Sequence, residues 1–190
     1  MGTLRESGVL GSSEWAAPAL VLIFLHGCDG LWPLRHEAFW TRLATSGFLV
    51  VMSDSFVRPQ RREECGRQPA WVYQARAAEL DYALGWLMRS ASEAPRDVFF
   101  FGHSEGAIAL LRQTGRGLAG AVVTGTGCLR FALTVPTLAM MSRLDPALHG
   151  ATCQQASRRI LLDGRRHDVL GDRTVQDAIF EFLHSMPPPD

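Results

Sequence analysis

The segment Val98-Phe99-Phe100-Phe101-Gly102-His103-Ser104-Glu105-Gly106-Ala107-Ile108 constrains the fold of this chain more than any other. An apolar, aromatic-rich run stops at a glycine, a serine follows two residues later, and a second glycine opens a run of small residues. Period and breaker residues predict a buried strand, a tight turn and a helix, with G-x-S-x-G at the turn. Such a turn holds its serine in a strained backbone conformation that lifts the hydroxyl above the sheet edge. Gly102 and Gly106 leave room where a Cβ would collide with the opposing strand or helix. Ser104 then stands at a helix N-terminus, where backbone N–H groups favour developing negative charge. The five-residue pattern alone arises by chance in glycine-containing turns. The strand before it and the helix after it make Ser104 a candidate nucleophile.

The rest of the chain repeats the same alternation. Residues 19–25 form a continuous apolar run, the mark of a strand buried on both faces, and break at His26-Gly27-Cys28-Asp29-Gly30. Residues 36–46 predict a helix with Phe39, Trp40 and Leu43 on one face and Gly47 as its stop, and residues 48–52 a second buried strand. Residues 53–68 read as a long polar loop. Pro69 starts a helix to about Ser90 with Val72, Leu80, Ala83, Leu84 and Leu87 on a shared face. After the strand at 97–101 and the helix at 105–114, further strands are expected at 121–124, 137–141 and 159–162. Asp172 caps a last helix whose stripe is Val175, Ala178, Ile179, Phe182 and Leu183. Strands alternating with helices predict βαβ units and a mostly parallel sheet of about six strands. With 190 residues the expectation is one domain over 1–190, residues 1–15 being a tail or a reduced edge element. In such sheets reactive loops gather at the carboxyl ends of the strands.

A serine hydroxyl needs a base to take its proton, and the base needs a carboxylate to fix its tautomer. Downstream of Ser104 the chain supplies a strand followed by Asp145-Pro146, then a strand followed by Asp163-Gly164-Arg165-Arg166-His167-Asp168. The expected order on this kind of sheet is Ser, acid, His. Asp145 and His167 fill the two loops in that order, with Asp163 as the competing acid. An N-cap beside a proline and a surface histidine among arginines are the plainer readings of these two residues. Asp168 reads as solvated, and His103, His149 and His184 as packing or surface residues. The oxyanion site is expected from two backbone N–H groups, that of Glu105 and that of Cys28 in the loop after the first strand. His26 is expected to brace that loop by hydrogen bonding.

These pieces resemble an α/β-hydrolase, and most closely the branch related to dienelactone hydrolases. The matching residues are His26-Gly27-Cys28-Asp29-Gly30-Leu31, Asp54-Ser55-Phe56-Val57-Arg58, Gly102-His103-Ser104-Glu105-Gly106, Asp145-Pro146 and His167, spread over roughly residues 20–185. The resemblance implies a compact three-layer fold without a lid domain. It also implies a serine hydrolase acting on a carboxylic ester or related acyl compound, without metal or cofactor. A thioesterase or a dienelactone-type lactonase would use the same triad. A catalytically silent relative serving as a binding module is the alternative of another class.

The remaining features bear on surroundings. Cys28, Cys65, Cys128 and Cys153 allow three pairings, of which 28–65 with 128–153 alone joins neighbouring loops; four free buried thiols are the alternative. Trp32, Arg58 and Trp71 are candidates for substrate contact, and Arg58, Arg61, Arg62 and Arg67 equally describe a solvated loop balanced by Glu63 and Glu64. A net charge of +0 argues against nucleic acid or an anionic membrane as partner, and the resemblance implies a small ester or acyl substrate. The apolar run at 16–25 is too short to span a bilayer, and residues 1–15 lack a signal-peptide pattern. The expected compartment is the cytoplasm, with secretion or the periplasm the alternative for a chain whose leader has been removed.

Overall fold

Five apolar runs become strands that are largely buried on both faces, each with a parallel neighbour to satisfy its backbone groups, and a sixth strand, which opens on two exposed arginines, closes one edge of the sheet. They are β1 (Leu20–Leu25), β2 (Phe48–Ser53), β3 (Asp97–His103), β4 (Gly120–Thr124), β5 (Thr137–Ser142) and β6 (Arg158–Leu162). The sheet order is β2-β1-β3-β4-β5-β6 and every pairing is parallel. Helices α1 (Glu37–Thr45), α2 (Ala70–Ser90), α3 (Glu105–Leu111) and α4 (Arg173–Ser185) supply the outer layers. The computed structural model describes residues 20–31, 36–57, 65, 70–90, 94–111, 118–128, 134–148, 153–164 and 166–186. The expected tail at 1–15, Trp32, Arg58, Arg61, Arg62, Arg67 and His149 lie outside them.

Strand side chains alternate between two cores. Val21, Ile23, Leu25 and Phe100 face α2 and α3, where they meet Leu80, Ala83, Leu87 and Leu110. Leu22, Phe24, Phe99 and Phe101 face the other way, onto Phe39, Trp40 and Leu43 of α1 and Val175, Ile179 and Phe182 of α4. The register β1–β3 pairs Leu22 with Phe99 and Phe24 with Phe101, so the aromatic run of β3 and the aliphatic run of β1 divide between both layers together. Phe24 stacks edge-on to Phe101, with ring centroids 5.1 Å apart. This is the three-layer architecture expected from the sequence.

The other strand bounds fall within one residue of those expected, and two differences are larger. β3 runs two residues past the aromatic run, because Gly102 continues the ladder opposite Leu25 and Val123, and His103 pairs with Thr124. A breaker residue does not end a strand that has a neighbour on each side. The loop after β2 opens with a 3-10 turn at Ser55–Val57, where the Phe56 N–H donates to the Asp54 carboxylate. Gly47, with φ +97°, ends α1, and the Asp172 carboxylate caps α4 by accepting from the Thr174 N–H, both as expected.

The cysteines pair as Cys28–Cys65 and Cys128–Cys153, with Cα atoms 5.1 and 4.4 Å apart. The first ties the loop after β1 to the segment after β2, and the second ties the loops after β4 and β5. Closing chain segments of 37 and 25 residues should stabilise the fold by about 3 kcal/mol each. Peptide mapping of air-exposed, non-reduced protein should recover both linked peptides, and urea midpoints should fall on reduction. Four free thiols in the mapped protein would contradict the pairing.

Candidate active site

Ser104 follows β3 with φ 51°, in the left-handed region that side chains other than glycine avoid. Its N–H donates to the Thr124 carbonyl at 2.8 Å and its carbonyl accepts from the Ile108 N–H at 3.1 Å, so strand β4 and helix α3 together hold the strained residue. The glycines on either side are required by contact. A Cβ on Gly102 would lie 2.5 Å from the Ala107 Cα, and one on Gly106 would run into the carbonyl oxygens of Leu25 and His26. Helix α3 is thereby pressed onto the end of β1.

Asp145 and His167 are brought to the same sheet edge by the pairing of β5 with β6. Past the strands, the Arg143 N–H donates to the Leu162 carbonyl at 2.8 Å and the Leu144 N–H to the Gly164 carbonyl at 3.0 Å, which zips the two loops side by side. The His167 Nδ1–H donates to Asp145 Oδ2 at 2.8 Å, and the Ser104 hydroxyl donates to His167 Nε2 at 2.8 Å. The Asp145 side chain is almost wholly buried, while His167 keeps an exposed edge. Asp163 points away, with its carboxylate exposed beside the Arg143 guanidinium. Of the two acids weighed from sequence, the structure brings Asp145 to the histidine.

The loop after β1 lies against the serine: a Cβ on Gly27 would sit 3.3 Å from the Ser104 Cβ. Its conformation is held by His26, as the sequence suggested. The Ser55 N–H donates to His26 Nε2 at 3.1 Å, which leaves the proton on Nδ1, and that N–H donates to the Gly27 carbonyl at 2.6 Å. The Gly27 carbonyl shares its peptide plane with the Cys28 N–H, so one imidazole sets the orientation of that donor. Glu105, the other expected donor, opens α3 with its side chain buried.

Two polar clusters escaped sequence reading. Arg76 on α2 is buried, pairs with Glu79, stands 3.6 Å from Glu105, and donates from Nη2 to the His26 carbonyl at 2.6 Å. Its signal was present: positions 72, 76, 79, 80, 83 and 87 follow helical spacing, so Arg76 and Glu79 fall on the face that Val72 and Leu80 bury. On the opposite layer, Asp168 is half-buried rather than solvated, accepting from His36 Nε2 at 3.2 Å and the Leu170 N–H at 3.0 Å. Burial alone would raise its pKa, but these hydrogen bonds outweigh it and hold the carboxyl at about 2. His103 is buried against Thr124, with its Nδ1 3.0 Å from the hydroxyl oxygen, and burial together with the nearby His167 ring lowers its pKa to about 4. It packs aside from the serine, as expected.

A cavity beside Gly27 and His103, about 30 Å³ in volume, has apolar walls from Phe24, Leu31, Trp40 and Leu170. Trp71 lies outside it, 52% exposed on the first turn of α2. Among the described residues there is no cluster of His, Cys, Asp and Glu that could hold a metal ion, and no helix is long and apolar enough to cross a membrane.

The arrangement of sheet, elbow and loops is the fold of the α/β hydrolases. An esterase from Pyrococcus furiosus superposes with a TM-score of 0.67 at 14% identity over 88% of this chain and 83% of its own. A candidate hydrolase of the α/β superfamily from Xanthomonas campestris gives 0.63 at 17% identity, covering 87% and 99%. A candidate dienelactone hydrolase from Klebsiella pneumoniae gives 0.58 at 14%, covering 91% and 88%. The chain spans 64% of the length of another similar structure, an uncharacterized protein from Bacillus cereus. No protein-family model matches the sequence, and no characterised protein matches it in sequence.

The buried histidine makes stability depend on pH. Between pH 6.5 and about 4 the unfolded chain takes up a proton that folded His103 refuses, so stability falls as pH drops through that window. A depression of this size corresponds to a loss of roughly 3 kcal/mol by pH 4. Asp168 acts at lower pH: its contribution is complete above 3.8 and is lost as pH falls towards about 2. Urea unfolding at pH 7, 6, 5 and 4.5 should show the first slope, and His103→Gln should flatten it. An unchanged slope in the variant would place the titration elsewhere.

Proposed function

We propose that the protein is a serine hydrolase that cleaves a carboxylic ester or related acyl compound through an acyl-enzyme on Ser104. The observation that carries this reading is the unbroken hydrogen-bonded chain Asp145–His167–Ser104, 2.8 Å at each link, ending on a strained and held serine. Ser104 Oγ attacks the carbonyl carbon as His167 Nε2 takes its proton, and the negative Asp145 stabilises the imidazolium that forms. The carbonyl oxygen, now an oxyanion, is held by the N–H groups of Cys28 and Glu105. Collapse expels the alcohol, which leaves with the proton from His167. Water then repeats the sequence on the acyl-enzyme, with His167 again as base, and releases the acid and free Ser104. No step calls for a metal or cofactor. Thiolesters and lactones would follow the same steps, and the choice among them rests with the acyl pocket.

Among the described residues the cavity beside Gly27 is only about 30 Å³ and neither Ser104 nor His167 lines it, so it offers no groove for a long acyl chain. Each further methylene adds about 0.8 kcal/mol of binding only where a pocket can bury it. Across p-nitrophenyl esters from acetyl to palmitoyl, kcat/KM should peak at the short end, with no jump above the substrate's solubility limit. A maximum at long chains would overturn the small-pocket reading.

The serine itself is tested by fluorophosphonate labelling, which should modify Ser104 in the unaltered protein and nothing in Ser104→Ala. That variant should stay folded and lose on the order of 10⁴–10⁶ in turnover. Asp145→Asn should lose on the order of 10⁴ by releasing the wrong tautomer of His167, while Asp163→Asn stays within about twofold. Full activity in Ser104→Ala, or absence of labelling, would favour a binding module instead.

A further inference from the structure

We propose that Arg76 is a positioning residue for the oxyanion hole, locking together the two chain segments that must each donate one N–H. The inference rests on the hydrolase reading above and adds a residue to it. An oxyanion hole made from two elements works only if their separation is fixed to a fraction of an ångström, since its donors must fit the transition state more tightly than the ground state. Here the donors come from the loop after β1 and from the start of α3. Arg76 belongs to neither segment. It reaches both from the second turn of α2.

The contacts specify how. Arg76 Nη2 donates to the His26 carbonyl at 2.6 Å, two residues before Cys28. Arg76 Nη1 lies 3.4 Å from His26 Nε2, on the ring that orients the Gly27–Cys28 peptide. Arg76 Nε lies 3.6 Å from the carboxylate of Glu105, whose own N–H is the second donor. Glu79, one turn along α2, pairs with Nη1, and the Ser53 hydroxyl reaches the same Glu79 oxygen at 3.5 Å. The guanidinium is 1% exposed, so it has no competing role in solvation. A planar fork with five donors can meet a carbonyl and two carboxylates at once, whereas a lysine ammonium of different reach cannot reproduce that geometry. A purely apolar residue would have sufficed to fill the space between α2, β1 and α3. The buried charge has instead two carboxylates and a carbonyl from the hole's own loop as partners.

The test uses Arg76→Lys and Glu105→Gln, each compared with the unaltered protein for folding by thermal melt, for ester turnover, and for inhibition by an alkyl boronic acid, whose tetrahedral adduct on Ser104 puts an oxygen in the hole. Loosening the donors should lower kcat and kcat/KM together by about 10–100-fold, with KM within about twofold, and should weaken the boronate by a similar factor. Variants that melt earlier yet retain turnover and boronate affinity per folded molecule would overturn the proposal, since Arg76 would then serve stability alone. Should Arg76→Lys fail to fold, Glu105→Gln decides by the same readouts, because it keeps the side chain's size and accepting oxygen while removing its charge. Unaltered protein that neither labels with a fluorophosphonate nor turns over an ester would defeat the hydrolase reading and this inference with it. Labelling and turnover that persist unchanged in both variants would defeat this inference alone.

Discussion

The close approach of α3 to the end of β1 is the contact on which the rest of the site depends. Gly106 lies against the carbonyls of Leu25 and His26, and Gly102 against the backbone of Ala107. Without a Cβ at either place, the chain leaves β3, turns through the strained Ser104 and starts a helix within a few residues. The strain is offset by packing that depends on neither the serine's side chain nor its chemistry. The same contact brings the loop after β1 beside the serine. The proposed nucleophile and the proposed oxyanion donors therefore share one packing event.

Around that contact the two cores are mostly apolar, and most of the buried charged residues cluster by the site. Taking an ion out of water costs several kcal/mol, so a buried charge persists where its partners are fixed. On the α2–α3 side, Arg76, Glu79 and Glu105 meet against the carbonyl of His26. On the α1–α4 side, His36 and Asp168 meet beside His103. The two clusters flank the carboxyl ends of β1 and β3, where a parallel sheet leaves its loops free to carry function. His103, its pKa lowered to about 4, is uncharged at neutral pH, so it places no positive charge beside the His167 ring 5.2 Å away.

The split between legible and hidden residues follows the range of the forces involved. Ser104 could be read because its turn is local: two glycines and an apolar run lie within the nine residues from Val98 to Gly106. Asp145 and His167 could be ordered along the chain, but choosing Asp145 over Asp163 required the pairing of β5 with β6 and the hydrogen bonds beyond it. Asp168 read as solvated because its partner His36 lies 132 residues away. Arg76 and Glu79 were overlooked because charged residues on a long helix ordinarily face water. The spacing that places them on the buried face was there, but spacing does not name the carbonyl and carboxylate that make such burial tolerable.

What the sequence by itself determined is the alternation of strands and helices, the turn at Ser104 and the order serine, acid, histidine. These follow from periodicity, glycine placement and loop position, all of which act over one or two elements. The tertiary structure decided which carboxylate meets His167, which tautomer His26 holds and where the guanidinium of Arg76 points. Each of those depends on a hydrogen bond between segments far apart in the chain. Such a bond is directional and a few ångströms long, so it takes shape only after the sheet has set the register of its strands.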